Sequence, residues 1–152
     1  MNAASDVQLR FTANPAHVRT VRLVAVTMAR RAGVDEGLLD EVRLAVGEAC
    51  SRAVQLHRSV HLAAPVHVVI SDTADRFAVA VSDAVPASAD TTVPSTPAGE
   101  LVITHADAGR SALPPQVGLA VISGLVDDVT VRTGPQGATV TMSWPRAGQA
   151  PV

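Results

Sequence analysis

The sequence predicts an α+β fold: a two-layer sandwich in which helices cover one face of a mixed, mostly antiparallel sheet. Three observations carry this expectation. Short runs that alternate apolar and polar residues recur along the chain, the pattern of strands with one buried face. Two stretches in the first half carry apolar stripes at helical spacing. The order is strand, two helices, two strands, a long loop, a short helix and a hairpin, with the strands grouped rather than alternating one-to-one with helices. At 152 residues, 47% hydrophobic and 17% charged, the chain is long and apolar enough for one domain with its own core.

Each element has a local reason. In residues 7–12, Val7, Leu9 and Phe11 alternate with Gln8, Arg10 and Thr12, a half-buried strand. Asn14-Pro15 opens a helix, with Asn as cap and Pro in its first turn. Val18, Val21, Ala25, Met28 and Ala32 form its buried stripe, Arg19, Arg22 and Arg30 fall on the other side, and Gly33 ends it. Asp35 caps a second helix, with Val34 and Leu39 at the positions of a hydrophobic staple. Leu38, Val42, Ala45, Val46, Ala49, Ala53 and Leu56 carry its stripe to about His57. Val66, Val68 and Ile70, then Phe77, Val79 and Val81, mark two strands joined across 71–75 as a hairpin. Residues 84–116, with Pro86, Pro94, Pro97, Pro114 and Pro115 among Ala, Ser, Thr and Gly, read as a lid or loop, with one short strand at Leu101–Thr104. Gly118–Leu125 is a short apolar helix. Asp127–Arg132 and Ala138–Trp144 are two last strands about a Gly-Pro-Gln-Gly turn. The expected organisation is a flexible N-terminus at 1–6, a single domain at 7–145 and a flexible tail at 146–152.

Composition excludes several functions. Aromatic residues are 2% of the chain, too few for a base-stacking platform, and a net charge of −2 gives no electrostatic basis for binding nucleic acid or an anionic membrane. All 12 basic residues are Arg, so a Lys nucleophile, a Schiff base and a P-loop lysine are excluded. Cys50 is the single cysteine, which rules out an internal disulfide and a multi-cysteine zinc site and fits a reducing compartment. No leader-like segment and no spanning apolar run is present, so the expected location is cytoplasmic.

Four stretches, in order, carry a resemblance. They are Leu44-Ala45-Val46-Gly47-Glu48-Ala49-Cys50-Ser51-Arg52-Ala53-Val54; Val79-Ala80-Val81-Ser82-Asp83; Gly118-Leu119-Ala120-Val121-Ile122 followed by Leu125-Val126-Asp127-Asp128-Val129; and Gly137-Ala138-Thr139-Val140. Together, across about residues 7–145, they resemble the ATP-binding fold of histidine kinases and gyrase (the GHKL, or Bergerat, fold), and within it the anti-sigma-factor serine kinases of the RsbW type. The resemblance implies that Glu48 matches a general base acting on a partner's serine, and that Asp83 matches the residue that accepts a hydrogen bond from the adenine amino group. Gly118 and Leu119 match the lid, whose amides meet phosphate, and Thr139 lies next to the family's nucleotide-binding Thr.

The same comparison shows departures. Arg52 stands where the family has a Mg²⁺-holding Asn, and Arg has no acceptor with which to coordinate a cation. At i,i+4 from Glu48 it is expected to pair with that carboxylate, displace the metal and meet phosphate itself. The family's glycines after Asp83 are replaced by Ala84-Val85-Pro86-Ala87, only one lid glycine remains in Gln116-Val117-Gly118-Leu119, and Ala138 replaces a Thr. The resemblance therefore implies an anti-sigma-factor-like regulator of transcription, a pseudokinase. It would bind a sigma factor and/or a STAS-domain anti-anti-sigma protein, act as a homodimer, hold ATP or ADP weakly and not depend on Mg²⁺. The alternative is an active ATP-dependent serine kinase acting on the STAS-domain antagonist.

Three other features have plainer readings beside their functional ones. His57, His61 and His67 are too few and too loosely spaced for a metal cage and read as loop histidines. Cys50 flanks the apolar stripe and reads as packing. The Arg19, Arg22 and Arg30 face is either a partner surface or a solvated helix face.

Overall fold

The computed structural model describes residues 5–86, 115–126 and 128–146. Strand β1 (Ser5–Phe11) is followed by a 3-10 turn at Pro15–His17 that runs into helix α1 (Val18–Ala32). The Asn14 side chain accepts from the Ala16 N–H at 3.0 Å, and Gly33 closes α1 in the left-handed region. A second 3-10 turn, Glu36–Leu38, is capped by Asp35 and leads into α2 (Leu39–Ser59). Then come β2 (Val66–Asp72), β3 (Arg76–Ser82), α3 (Pro115–Leu125), β4 (Asp128–Gly134) and β5 (Gly137–Pro145).

The strands lie in the order β1-β2-β3-β5-β4, and every pairing is antiparallel. The expected mixed sheet is thus wholly antiparallel among the described residues. The β4–β5 hairpin folds back so that its second strand, not its first, joins β3. That reversal places the start of β5 beside the end of β3 and positions the site.

One face of the sheet is apolar in continuous rows. Val68, Val81 and Val140 sit side by side across three strands, as do Ile70, Val79 and Met142, all buried. Phe77 pairs with Trp144, ring centroids 6.2 Å apart, at the far end. With so few rings in the chain, this pair supplies the bulkiest part of an otherwise aliphatic core. Helix α2 covers these rows with Val42, Ala45, Val46, Ala49, Ala53 and Val54, all nearly inaccessible, and its small alanines let the helix approach the sheet closely. Helix α1 packs beside α2 and adds Val21, Ala25 and Ala29, while α3 contributes Ile122. The opposite sheet face carries half-buried His67, Ser71, Ala78, Ala80, Thr139 and Thr141.

Several expectations at the margins change. Ser5 and Asp6, expected to be flexible, extend β1 and pair with Asp72 and Ser71. Pro115 and Gln116, expected in the loop, form the first turn of α3, where a missing proline N–H costs nothing. Arg146, expected in a loose tail, donates from Nε to the Ala32 carbonyl at 2.6 Å and from Nη1 to the Thr73 carbonyl at 2.7 Å, tying α1 to the β2–β3 turn. Ala84, Val85 and Pro86, at the start of the expected lid, carry no helix or strand, while residues 87–114, including the short strand expected at Leu101–Thr104, lie outside the described residues, as do the first four residues and those after Arg146.

Trp144 is the largest buried side chain and also donates from Nε1 to Glu41 Oε1 at 3.0 Å. Trp144→Ala should destabilise the domain by about 3–5 kcal/mol in urea titration. Leu23→Ala, at a side chain 57% exposed on α1, should change it by less than about 0.5 kcal/mol.

Candidate functional site

The site forms where three backbones converge. Helix α2 passes over the end of β3, and the start of β5 is hydrogen-bonded to that end through the Asp83 N–H and the Ala138 carbonyl, 2.9 Å apart. Asp83 follows the alternation of β3. Val81 points into the core, Ser82 points to the open face, and Asp83 points back under α2, where it is buried.

A buried carboxylate needs partners for its charge. Asp83 has three. Oδ1 accepts from the Val85 N–H at 3.0 Å and from the Ala138 N–H at 3.3 Å. Oδ2 accepts from Arg52 Nη1 at 3.1 Å. The ion pair lies inside the protein, with the Arg52 side chain 11% exposed and that of Asp83 1% exposed. The expected Glu48–Arg52 pair is therefore not formed. Geometry explains the difference. Position 52 lies further toward the sheet side of α2 than position 48, and an unscreened carboxylate competes for a guanidinium better than a solvated one. Glu48 stays half-buried on the flank of α2, with no ion-pair partner among the described residues.

His57 fixes the backbone just beyond Asp83. It is fully buried and bridges two loops. Nε2 accepts from the Ala84 N–H at 2.9 Å, so Nδ1 carries the proton and donates to the Ala64 carbonyl at 2.8 Å. Both ring nitrogens are thus engaged by the backbone, and His57 is a core histidine rather than the loop histidine expected. Its position was a signal. It continues the stripe of α2 at four-residue steps from Ala45 through Ala49 and Ala53, so it had to face inward. The Val85 amide, two residues on, reaches Asp83 through a local turn, whereas the Ala138 amide left no comparable trace in the sequence, because strand pairing alone brings it there.

Gly137 is the tightest backbone approach here. Its φ of 128° is a conformation that side chains resist, and a Cβ on it would collide with the Asp83 carbonyl. The last of the four matching stretches thus keeps its glycine for a packing reason. Thr139, proposed from the sequence beside the nucleotide, lies on the other side of β5. Its hydroxyl bonds Ser82 Oγ at 2.8 Å on the open sheet face, while its neighbours Ala138 and Val140 face the helices. Gly118 sits in the first half of α3, and Leu119 is partly buried against the core. The structure therefore brings together Arg52 and Asp83, with His57 behind them, and leaves Thr139 apart.

On the opposite flank of α2, Arg22 does not point away from the core as its register suggested. It lies across Gly47, where a Cβ would meet the guanidinium, and its buried Nε has no hydrogen-bond partner. Cys50 lies on the same side of α2. Burial pushes its thiol up to about 12, against an opposing pull from the Arg22 charge. It is a packing residue, not a nucleophile. No helix among the described residues is long and apolar enough to cross a membrane. No group of three or more His, Cys, Asp or Glu among them is placed to hold a metal ion.

The nucleotide implied by the resemblance can be tested against these contacts. A base amino group needs a reachable oxygen on Asp83, and this side chain is shut away, with Oδ1 accepting two amides and Arg52 lying against Oδ2. A divalent cation needs oxygen donors, and Arg52 brings a positive charge to that place. The residues present do not fit Mg²⁺-nucleotide in this arrangement.

A family model described as a histidine kinase-like ATPase domain matches residues 11–144. The chain is similar to the crystal structure of the RsbU and RsbW domains of Rv1364c from Mycobacterium tuberculosis, with 17% sequence identity and a TM-score of 0.60. The match covers 93% of this chain and 33% of that one, so the chain spans about a third of its length. A comparison with curated proteins found no match.

Two outcomes test the site. Arg52→Ala leaves Asp83 buried without a counter-charge and should cost about 3–5 kcal/mol by denaturant titration, whereas Arg52→Met combined with Asp83→Asn should recover much of that loss. The Cys50 thiol is raised from 9.0 to about 12 in the folded protein, so from about pH 9 upward the unfolded chain loses this proton while the folded one keeps it. Stability should fall as pH rises through that window, and Cys50→Ala should flatten the decline in a series of urea titrations.

Proposed function

Because the chain belongs to the histidine kinase-like ATPase domain family, we propose that it is an RsbW-like regulator that acts by holding a partner protein rather than by transferring phosphate. The partner is a sigma factor and/or a STAS-domain anti-anti-sigma protein, and the working form is a cytoplasmic homodimer. One observation carries the reading: Arg52 and Asp83, which the resemblance assigns to nucleotide chemistry, are engaged with each other in a buried ion pair. Protein binding survives such a change, because it draws on surface complementarity rather than on metal geometry. The fold shared with about a third of the structure of the RsbU and RsbW domains of Rv1364c is in keeping with that partner class.

One feature favours a second reading, the active serine kinase. Glu48 keeps a half-exposed carboxylate that no cation among the described residues engages, as a general base on a partner's serine requires.

The test is to mix the purified chain with sigma factors and STAS-domain proteins from its own source, without nucleotide, and then with γ-labelled ATP and Mg²⁺. The expected outcome is a stable complex with at least one of them in nucleotide-free buffer and no label on the STAS protein. Label that appears with the unmodified chain and disappears with Glu48→Ala establishes the kinase instead. Failure to bind any member of either class removes the regulator reading. Light scattering of the free chain at high micromolar concentration should give twice the monomer mass.

A further inference from the structure

Arg52 does more at Asp83 than obstruct. Oδ1 accepts from two backbone amides, Oδ2 from one guanidinium N–H, and the side chain is closed to solvent. An N–H donor on a planar, conjugated group meets the carboxylate there, the donor that an exocyclic amino group of a purine would bring, with a positive charge added. The arginine comes from the middle of α2, while the two amides come from the segment after β3 and from β5. The carboxylate therefore joins all three backbones with no external ligand. His57 reinforces the junction by holding Ala84.

We infer that Arg52 is an internal substitute for a purine amino group, that it keeps the Asp83 subsite closed, and that this chain folds and works without adenine nucleotide for that reason. The inference rests on the proposed function only for the identity of the subsite. It predicts that removing the guanidinium, with Asp83 left in place, uncovers a carboxylate able to take an adenine ring.

Adenosine is the probe, because it lacks phosphates and is indifferent to the lid and to Mg²⁺. It is titrated into the unmodified chain, Arg52→Gln, Arg52→Ala and the double variant Arg52→Gln/Asp83→Asn. Binding is followed through the ¹⁵N–¹H resonances of Val85 and Ala138, whose amides report directly on Asp83. The unmodified chain should show no saturable shift at millimolar adenosine. A single variant that folds should bind at least about tenfold more tightly than the unmodified chain, and the double variant should lose that gain. Saturable shifts of those amides in the unmodified chain overturn the inference, even if both single variants fail to fold. A folded single variant with no gain over the unmodified chain overturns it too. Partner capture is read separately, so a chain that ignores adenosine yet binds no partner refutes the proposed function and leaves this inference standing.

Discussion

A carboxylate removed from water has to find its hydrogen bonds and its counter-charge where it lies, and in this domain that requirement locks three elements together. Asp83 takes amides from the segment after β3 and from β5, and a guanidinium from α2. Each partner belongs to a different stretch of chain, so the junction closes only when strand order, helix position and side-chain register are all correct. Much else follows from that closure. The β4–β5 hairpin must reverse to deliver Ala138, Gly137 must lack a side chain to pass the Asp83 carbonyl, and His57 must be neutral to receive the Ala84 amide. The pair adds little net stability, since the desolvation of both ions offsets most of their attraction, yet removing one partner alone is costly.

The rest of the fold rests on simpler physics. A chain almost without aromatic residues cannot fill a core with large rings, so it brings helix and sheet close together instead. The alanines of α2 sit against rows of valine, and the one large aromatic contact, Phe77 with Trp144, lies at the end of the sandwich. The other sheet face carries alanine, serine and threonine. Their small side chains leave the pleat shallow, and a hydroxyl pair, Ser82 with Thr139, links neighbouring strands there.

Most of the architecture was legible in the sequence because it depends on period. The two helices and the strands at 66–72, 76–82 and 137–145 declare themselves by spacing and caps. Strand order was not legible: nothing local states that the second strand of the last hairpin, rather than the first, joins β3. The candidate site was half legible. Arg52 and Asp83 stood out by departure and by match, but their pairing across 31 positions of chain is a product of tertiary packing, whereas the local i,i+4 rule pointed to Glu48. Burial decided between the two, and burial of a polar group on the edge of an apolar stripe is poorly encoded in periodicity. The same ambiguity hid Arg22, on a stripe boundary where a turn of a few degrees separates core from solvent, whereas His57 lay on the α2 stripe itself.

The placement of Arg22 has a consequence for how such a chain can change over generations. Its guanidinium occupies the volume that any residue other than glycine at position 47 would claim. A methyl or hydroxyl acquired at 47 displaces the guanidinium, and because that group is the far end of a flexible side chain whose buried Nε has no hydrogen-bond partner, the displacement costs little. Position 22 can equally shorten while 47 stays glycine. Either site can therefore change first, and the α1–α2 seam tolerates substitutions that the approach of Gly137 to the backbone of Asp83 forbids.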